Sequence, residues 1–343
     1  ATTVGNVTLS ATATASSIDI GQFEEATTIG DITFTGTGNI TWDGAAAATS
    51  VGNISGSVAA SKTVDLTAED AASLLGTTAG TIGTTTVTGA GTFNVDFGAV
   101  TTVGTIDLSG MDAGTSASTV TVDASTTSAL TYTGTSGNDT FTSGAGADTI
   151  TGGGGVDTIT GNDGADTISL TETTASADTV ILTDDDSVDQ ITGFNAVSHD
   201  DVISFDVSAF NTELGQNLRD STNDVAAADT VVVHSITEGD TDGPGAIAAG
   251  ANIIFFTDID NNALPTTNWS IQIDANAGNA GDAIIAIHYD LDGGFANVGY
   301  ITDAGSAVDA TFAAADVTFT SLAELTMSTT EYSALAAANF SFT

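Results

Sequence analysis

Residues 134 to 169 read as four consecutive blocks of nine: GTSGNDTFT (134–142), SGAGADTIT (143–151), GGGGVDTIT (152–160) and GNDGADTIS (161–169). The template is G-G-x-G-x-D-x-U-x, where U is a large apolar residue, and all four blocks keep its fourth-position Gly, its Asp and its apolar residue in register. Such a block makes one turn and one short strand, two blocks complete a coil, and block n lies over block n+2. Asp139 therefore stacks on Asp157, and Asp148 on Asp166. Phe141, Ile150, Ile159 and Ile168 point inward as the single apolar position of each block.

This register creates an electrostatic problem. Stacked carboxylates roughly 5 Å apart repel by about 3 kcal/mol at an effective dielectric of ~20. One inward side chain per block cannot offset several such pairs, but a hard divalent cation can. Ca²⁺ takes roughly 6 to 8 oxygens at ~2.3 to 2.6 Å. Asp139, Asp148, Asp157 and Asp166 supply carboxylates. Gly137, Gly144, Gly146, Gly152, Gly154, Gly155, Gly161 and Gly164 permit the turn and expose carbonyl oxygens. Asp163 is a further candidate ligand, and Asp178 a candidate extension of one ladder. On this reading, metal binding and folding of the roll are one event. The competing interpretation, plain Gly-Asp turns, leaves Asp at the same place in four successive blocks unexplained. Weaker echoes follow at Ala177–Val180 and Val188–Ile191.

Upstream, residues 1 to 133 carry a looser repeat: TVGNV at Thr3, TIGDI at Thr28, SVGNI at Ser50, TIG at Thr81 and TVGTI at Thr102. Units of this size with short alternating strands predict a parallel β-solenoid; an antiparallel sandwich of short strands is the alternative. One helical insert is expected over Thr67–Leu75, with Thr67 as cap and Gly76 as stop. Downstream, 193–343 keeps strand-like runs, and Asp290–Gly294 reads as a hairpin turn. The expectation is an all-β chain in three parts: solenoid 1–133, roll 134–192 and a C-terminal β domain 193–343.

Composition narrows the function. The 343 residues hold 44 acids, eight of them Glu, against Lys62 and Arg219, for a formal charge of −42. Such a chain cannot neutralise phosphates, which argues against nucleic acid and anionic membrane surfaces as partners; cations are the expected partners. Apolar residues make up 41%, and their alternation with Thr between Gly-rich turns argues against disorder. No run is long enough to span a membrane, no amino-terminal export signal is visible, and there is no Cys for disulfides or thiolate chemistry.

Other chemistry finds weaker footing. Thr183–Asp186 offers three adjacent carboxylates, a candidate for a further Ca²⁺ against a solvated acidic turn. Asp258–Asn262 and Asp290–Gly293 alternate oxygen ligands but lack the twelfth-position Glu of an EF-hand and read as plain turns. His199, His234 and His288 lack zinc spacing, and there is no G-x-S-x-G elbow or P-loop. Few aromatics are present to stack sugars beside paired carboxylates. The expectation is a binding or structural protein, not an enzyme.

The four blocks resemble the repeats of RTX proteins, which bacteria export by type I secretion. Asp189–Phe194 with Asp201–Phe205 is similar to the segment that closes the roll in that class. Ser321–Leu325 and Ala338–Thr343 resemble its uncleaved C-terminal export signals. The Thr/Ala/Gly-rich solenoid, poor in Lys and lacking Cys, resembles Gram-negative S-layer proteins of the RTX type, although no domain anchoring to lipopolysaccharide is recognisable. The resemblance implies a secreted protein of the bacterial cell surface, with calcium, copies of itself in a sheet or fibre, and cell-surface polysaccharide as partners. It leaves open an adhesin or biofilm-matrix fibre subunit, and the C-terminal secretion half of an RTX enzyme.

Overall fold

The computed structural model describes residues 2–12, 26–42, 48–67, 80–111, 116–123, 125–183, 187–213, 218, 225–227, 229–236, 251–257, 270–272, 283–303, 311–313 and 317–343. The helical insert expected over Thr67–Leu75 and the acidic runs at 183–186 and 258–262 lie wholly or largely outside these residues. The chain forms two compact units, Ala1–Asp178 and Thr179–Thr343, so the solenoid and all four complete blocks share one unit.

In the first unit every strand pair described is parallel, which excludes the sandwich. One stack runs through Thr2–Val4, Ala26–Ile29, Ser50–Val51, Thr81–Ile82 and Thr102–Val103. Its register places Val4, Ile29, Val51, Ile82 and Val103 opposite one another, the same residues that mark the sequence repeat. A second stack starts at Val7–Ala11 and continues to Thr167–Ser169; a third runs from Ile40–Thr41 to Thr158–Thr160. The first stack stops at Val103, so the coil changes from three strands to two where the period tightens to nine.

The core is built from columns. Ile32, Ile54, Thr85, Ile106, Tyr132, Ile150 and Ile168 succeed one another in register in the second stack, and all are fully buried. Val120, Phe141 and Ile159 form a facing column in the third. Tyr132 stacks on Phe141 with ring centroids 3.9 Å apart. Gly56 sits where a Cβ would lie 2.5 Å from a Phe34 ring carbon, so its lack of a side chain makes room for that ring.

The second unit holds a mixed sheet in the order Asp189–Thr192, Val317–Thr326, Phe295–Asp303, Ala283–Asp290, Ile253–Phe256 and Val233–Ile236. Beside it lies a parallel set, Thr179–Leu182, Val202–Phe205 and Phe340–Phe342. The Asp290–Gly294 turn joins two antiparallel strands as expected, with Gly293 N donating to Asp290 Oδ1 at 2.8 Å. Ser328 and Glu331 form a reciprocal capping box on the short helix Thr329–Tyr332. Ser321–Leu325 and Phe340–Phe342, which lie in the regions resembling export signals, are paired strands of this unit. Among the described residues no helix is long and apolar enough to cross a membrane.

Candidate calcium site

Each block's aspartate stands between turn and strand, one residue before the Thr that opens the outward face. Because Phe141 and its equivalents face inward, the aspartate two positions earlier also faces inward. Asp139, Asp148, Asp157 and Asp166 are all at most 3% exposed. Asp178 is buried too, as are Asp189 and Asp201 in the second unit.

The expected stacking is present and takes the form of a hydrogen-bonded ladder. Asp139 N donates to Asp157 Oδ1 and Asp157 N to Asp178 Oδ1, both at 2.9 Å. On the other side Leu130 N donates to Asp148 Oδ1 at 2.8 Å and Asp148 N to Asp166 Oδ1 at 2.7 Å. Asp178 therefore extends the first ladder despite the three-residue insertion before it. Ser118 N begins that ladder by donating to Asp139 Oδ1 at 2.6 Å.

The turns stack as closely as the strands. A Cβ at Gly137 would strike Ser116 O, one at Gly144 would lie 2.5 Å from Thr126 O, and one at Gly146 2.6 Å from Ser128 O. In the next coil, a Cβ at Gly155 would lie 2.6 Å from Gly137 C and one at Gly164 2.5 Å from Gly146 O. These last two glycines also have φ of +93° and +112°, a region that disfavours any side chain. Gly152 and Gly161 lie over the carboxylates of their own blocks, Gly152 with a Cβ position 2.6 Å from Asp157 Oδ2. Gly154 is different: its nearest neighbour would be 3.7 Å away, so packing does not demand glycine there. Asp163 is exposed, and the structure does not bring it into the buried ladder.

Electrostatics shows what the ladder lacks. Burial pushes Asp139 and Asp148 up to about 6. Asp157 is pushed up to about 8, by burial foremost and then by the negative charges of Asp139, Asp178 and Glu172. A carboxylate so placed is stable as an anion at neutral pH only with a positive charge nearby, and Lys62 and Arg219 are the chain's only basic side chains apart from His. Among the described residues no three His, Asp or Glu side chains converge on one point. A cation at this site would thus draw on carboxylate and turn carbonyl oxygens together. That oxygen-only set fits a hard cation such as Ca²⁺.

Among the described residues no histidine belongs to a group of three metal-ligating side chains. His288 is buried in the mixed sheet against Phe319, with ring centroids 4.9 Å apart, and burial pushes it down to about 4.

Fold and site define a calcium-binding β-roll grown in register from a parallel β-solenoid. Comparison with protein families agrees: residues 133–168 match the RTX calcium-binding nonapeptide repeat in four copies. RTX nonapeptide repeats bind calcium, and this chain's metal is Ca²⁺. No curated protein and no solved structure matched the chain.

Sequence reasoning located the ladder aspartates and missed their donors. Thr135 N and Oγ1 donate to Asp139 at 2.6 and 3.0 Å, and Ser143 Oγ donates to Asp148 Oδ2. Both residues were visible as departures from the template, standing where it has Gly. Ser118 lies outside the repeat, and only strand pairing reveals its place beneath Asp139.

Proposed function

We propose that the protein is an extracellular structural protein of a bacterial surface layer, assembling through its calcium-loaded roll and not acting as an enzyme. The observation that carries this reading is charge: a −42 chain repels its own copies unless cations neutralise it. The rod-like stacking of coils in the first unit supplies a stiff building block, and Ca²⁺ rigidifies the roll. Calcium then bridges carboxylates of neighbouring copies, at the cell surface after secretion. The strands Ser321–Leu325 and Phe340–Phe342 are exposed for recognition by an exporter only while the chain is unfolded, which accords with a fold that waits for calcium.

Millimolar Ca²⁺ should drive ordered polymers, whereas NaCl of equal ionic strength should not, because monovalent salt screens charges without coordinating several carboxylates. Light scattering followed by negative-stain imaging reads the outcome. Two-dimensional arrays support the surface layer, and fibres point to a matrix subunit. A protein that stays monomeric at high concentration in saturating Ca²⁺ refutes assembly and turns attention to an adhesin module or the secretion half of an RTX enzyme.

A further inference from the structure

The four blocks are nearly alike in sequence and unlike in structure. In the first two, protein groups stand where the template has glycine. Asp139 receives Ser118 N, Thr135 N and Thr135 Oγ1; Asp148 receives Leu130 N and Ser143 Oγ. The third block has Gly152 and Gly153 at those positions, and the described donor to Asp157 is Asp139 N.

The backbone divides the blocks at the same place. Gly153, Gly155, Asn162 and Gly164, the second and fourth positions of blocks three and four, all have φ between +58° and +113°. Thr135, Gly137, Gly144 and Gly146, their equivalents in blocks one and two, are not among the positive-φ residues. The partners below differ as well. The first two turns rest on the solenoid, through Ser136 N to Met111 O at 3.1 Å and Ala145 N to Thr126 O at 2.5 Å. The next turn rests on the roll, through Gly154 N to Thr135 O at 3.1 Å.

We infer that the first coil of the roll, Gly134–Thr151, is a built-in template that holds its fold without calcium, and that the calcium requirement begins at Gly152. The hydroxyls of Thr135 and Ser143 are positioning residues. They satisfy buried carboxylates with protein hydrogen bonds and join a metal-independent solenoid to a metal-dependent roll. Calcium-driven folding then starts on a preformed end and avoids the cost of an unassisted nucleus. This rests on calcium binding by the roll and not on assembly, which can fail without altering it.

Hydrogen exchange of the full chain in EGTA and in millimolar Ca²⁺ tests the boundary. Chelation should speed exchange in Thr158–Thr160 and Thr167–Ser169 on the order of a hundred-fold, and should change Asp139–Thr142 and Thr149–Thr151 by less than about ten-fold. Loss of protection in all four blocks together, or retention in all four, overturns the inference. The double variant Thr135→Val with Ser143→Gly supplies the second reading. With calcium it should be protected like the wild type; in EGTA its first two blocks should open as well. A boundary that stays at Gly152 in this variant removes the role assigned to the two hydroxyls.

Discussion

Solenoid and roll use one device in two chemical forms. In the solenoid, Asp31 N donates to Asn6 Oδ1, Asn53 N to Asp31 Oδ1 and Thr84 N to Asn53 Oδ1, at 2.9 to 3.1 Å. In the roll the same bond joins Asp139, Asp157 and Asp178, with the direction reversed: the earlier coil donates to the later carboxylate. Asn6 and Asn53 are exposed, whereas the roll's carboxylates are buried. A side-chain oxygen that caps a neighbour's N–H costs little at the surface. Buried and ionised, it needs a counter-charge.

One column shows the changeover. Val64, Phe93, Ser118 and Asp139 occupy successive register positions of the third stack. The side chain at this place goes from apolar, through a hydroxyl, to a carboxylate held by protein donors. The next coil brings Asp157, whose described donor is Asp139 N, and calcium dependence should begin at that step.

The largest effect should come from removing calcium. At a hundred times its dissociation constant, a ligand stabilises the fold by about 2.7 kcal/mol per site, and several sites act together. Circular dichroism in EGTA should show partial loss of strand signal and a large drop in melting temperature, with the solenoid's share retained. Unchanged spectra and melting would break the comparison at its root.

Single residues should show the next effect. Asp157→Ala should weaken Ca²⁺ binding by about ten-fold or more, the usual scale for a lost ligand or its support. Asp123→Ala should change it by less than about two-fold, because exposed surface pairs contribute little. Asp123 is an exposed residue that holds Ser125 in a local turn, its Oδ1 accepting from Ser125 N and Oγ at 2.8 and 2.6 Å. Titration calorimetry on both variants decides. Equal losses would mean that total charge, not position in the ladder, controls binding.

The ladder aspartates were legible because the nonapeptide repeats without a gap from 134 to 169 and its period fixes which residues stack. The solenoid was legible through one strand per coil, the V-G-N-I or I-G-D-I signal, because a glycine followed by a side-chain oxygen acceptor is needed where Gly30, Gly52 and Gly83 pass close to Asn6, Asp31 and Asn53. Other features depend on contacts between coils of unequal length. The shortening of the period to nine accompanies the loss of one strand stack after Val103 without saying which stack ends, and the donors to Asp139 and Asp148 come partly from residues outside the repeat. In the second unit, Val317–Thr326 pairs with Asp189–Thr192, more than a hundred residues earlier, a distance over which local pattern carries no information.

Acidity should separate the two regions by sign. In metal-free protein the folded values of Asp139, Asp148 and Asp157, about 6, 6 and 8, lie above the unfolded value. Their contribution is complete below about pH 4 and is lost as pH rises through 6 and 8. Asp123 runs the other way: its hydrogen bonds with Ser125 hold its carboxyl below the usual range, so its contribution exists above about pH 4 and disappears as pH falls through the folded value. In EGTA the roll should therefore melt lower at pH 8 than at pH 5. With Ca²⁺ the order should reverse, since ligand carboxylates must be deprotonated. Scanning calorimetry at both pH values, with and without calcium, measures this; a melting point in EGTA that rises from pH 5 to pH 8 contradicts it.

The smallest effect should come from the neutral ladder. Asn53 Oδ1 accepts from Thr84 N at 2.9 Å, and Asn53 is exposed, so water can replace the amide when it is removed. Asn53→Ala should cost about 1 kcal/mol, the usual net value of one hydrogen bond, and leave Ca²⁺ affinity unchanged. Asn53→Asp should cost less than Asn53→Ala, since Asp31 fills the equivalent place one coil earlier and makes the same bond. Urea unfolding with and without calcium provides both readings. If Asn53→Ala instead lowered calcium affinity, or cost as much as Asp157→Ala, the solenoid ladder would be coupled to the metal-dependent one. The two would then form one continuous cooperative structure, and the distinction between a surface oxygen that water can replace and a buried one that needs a cation would not hold.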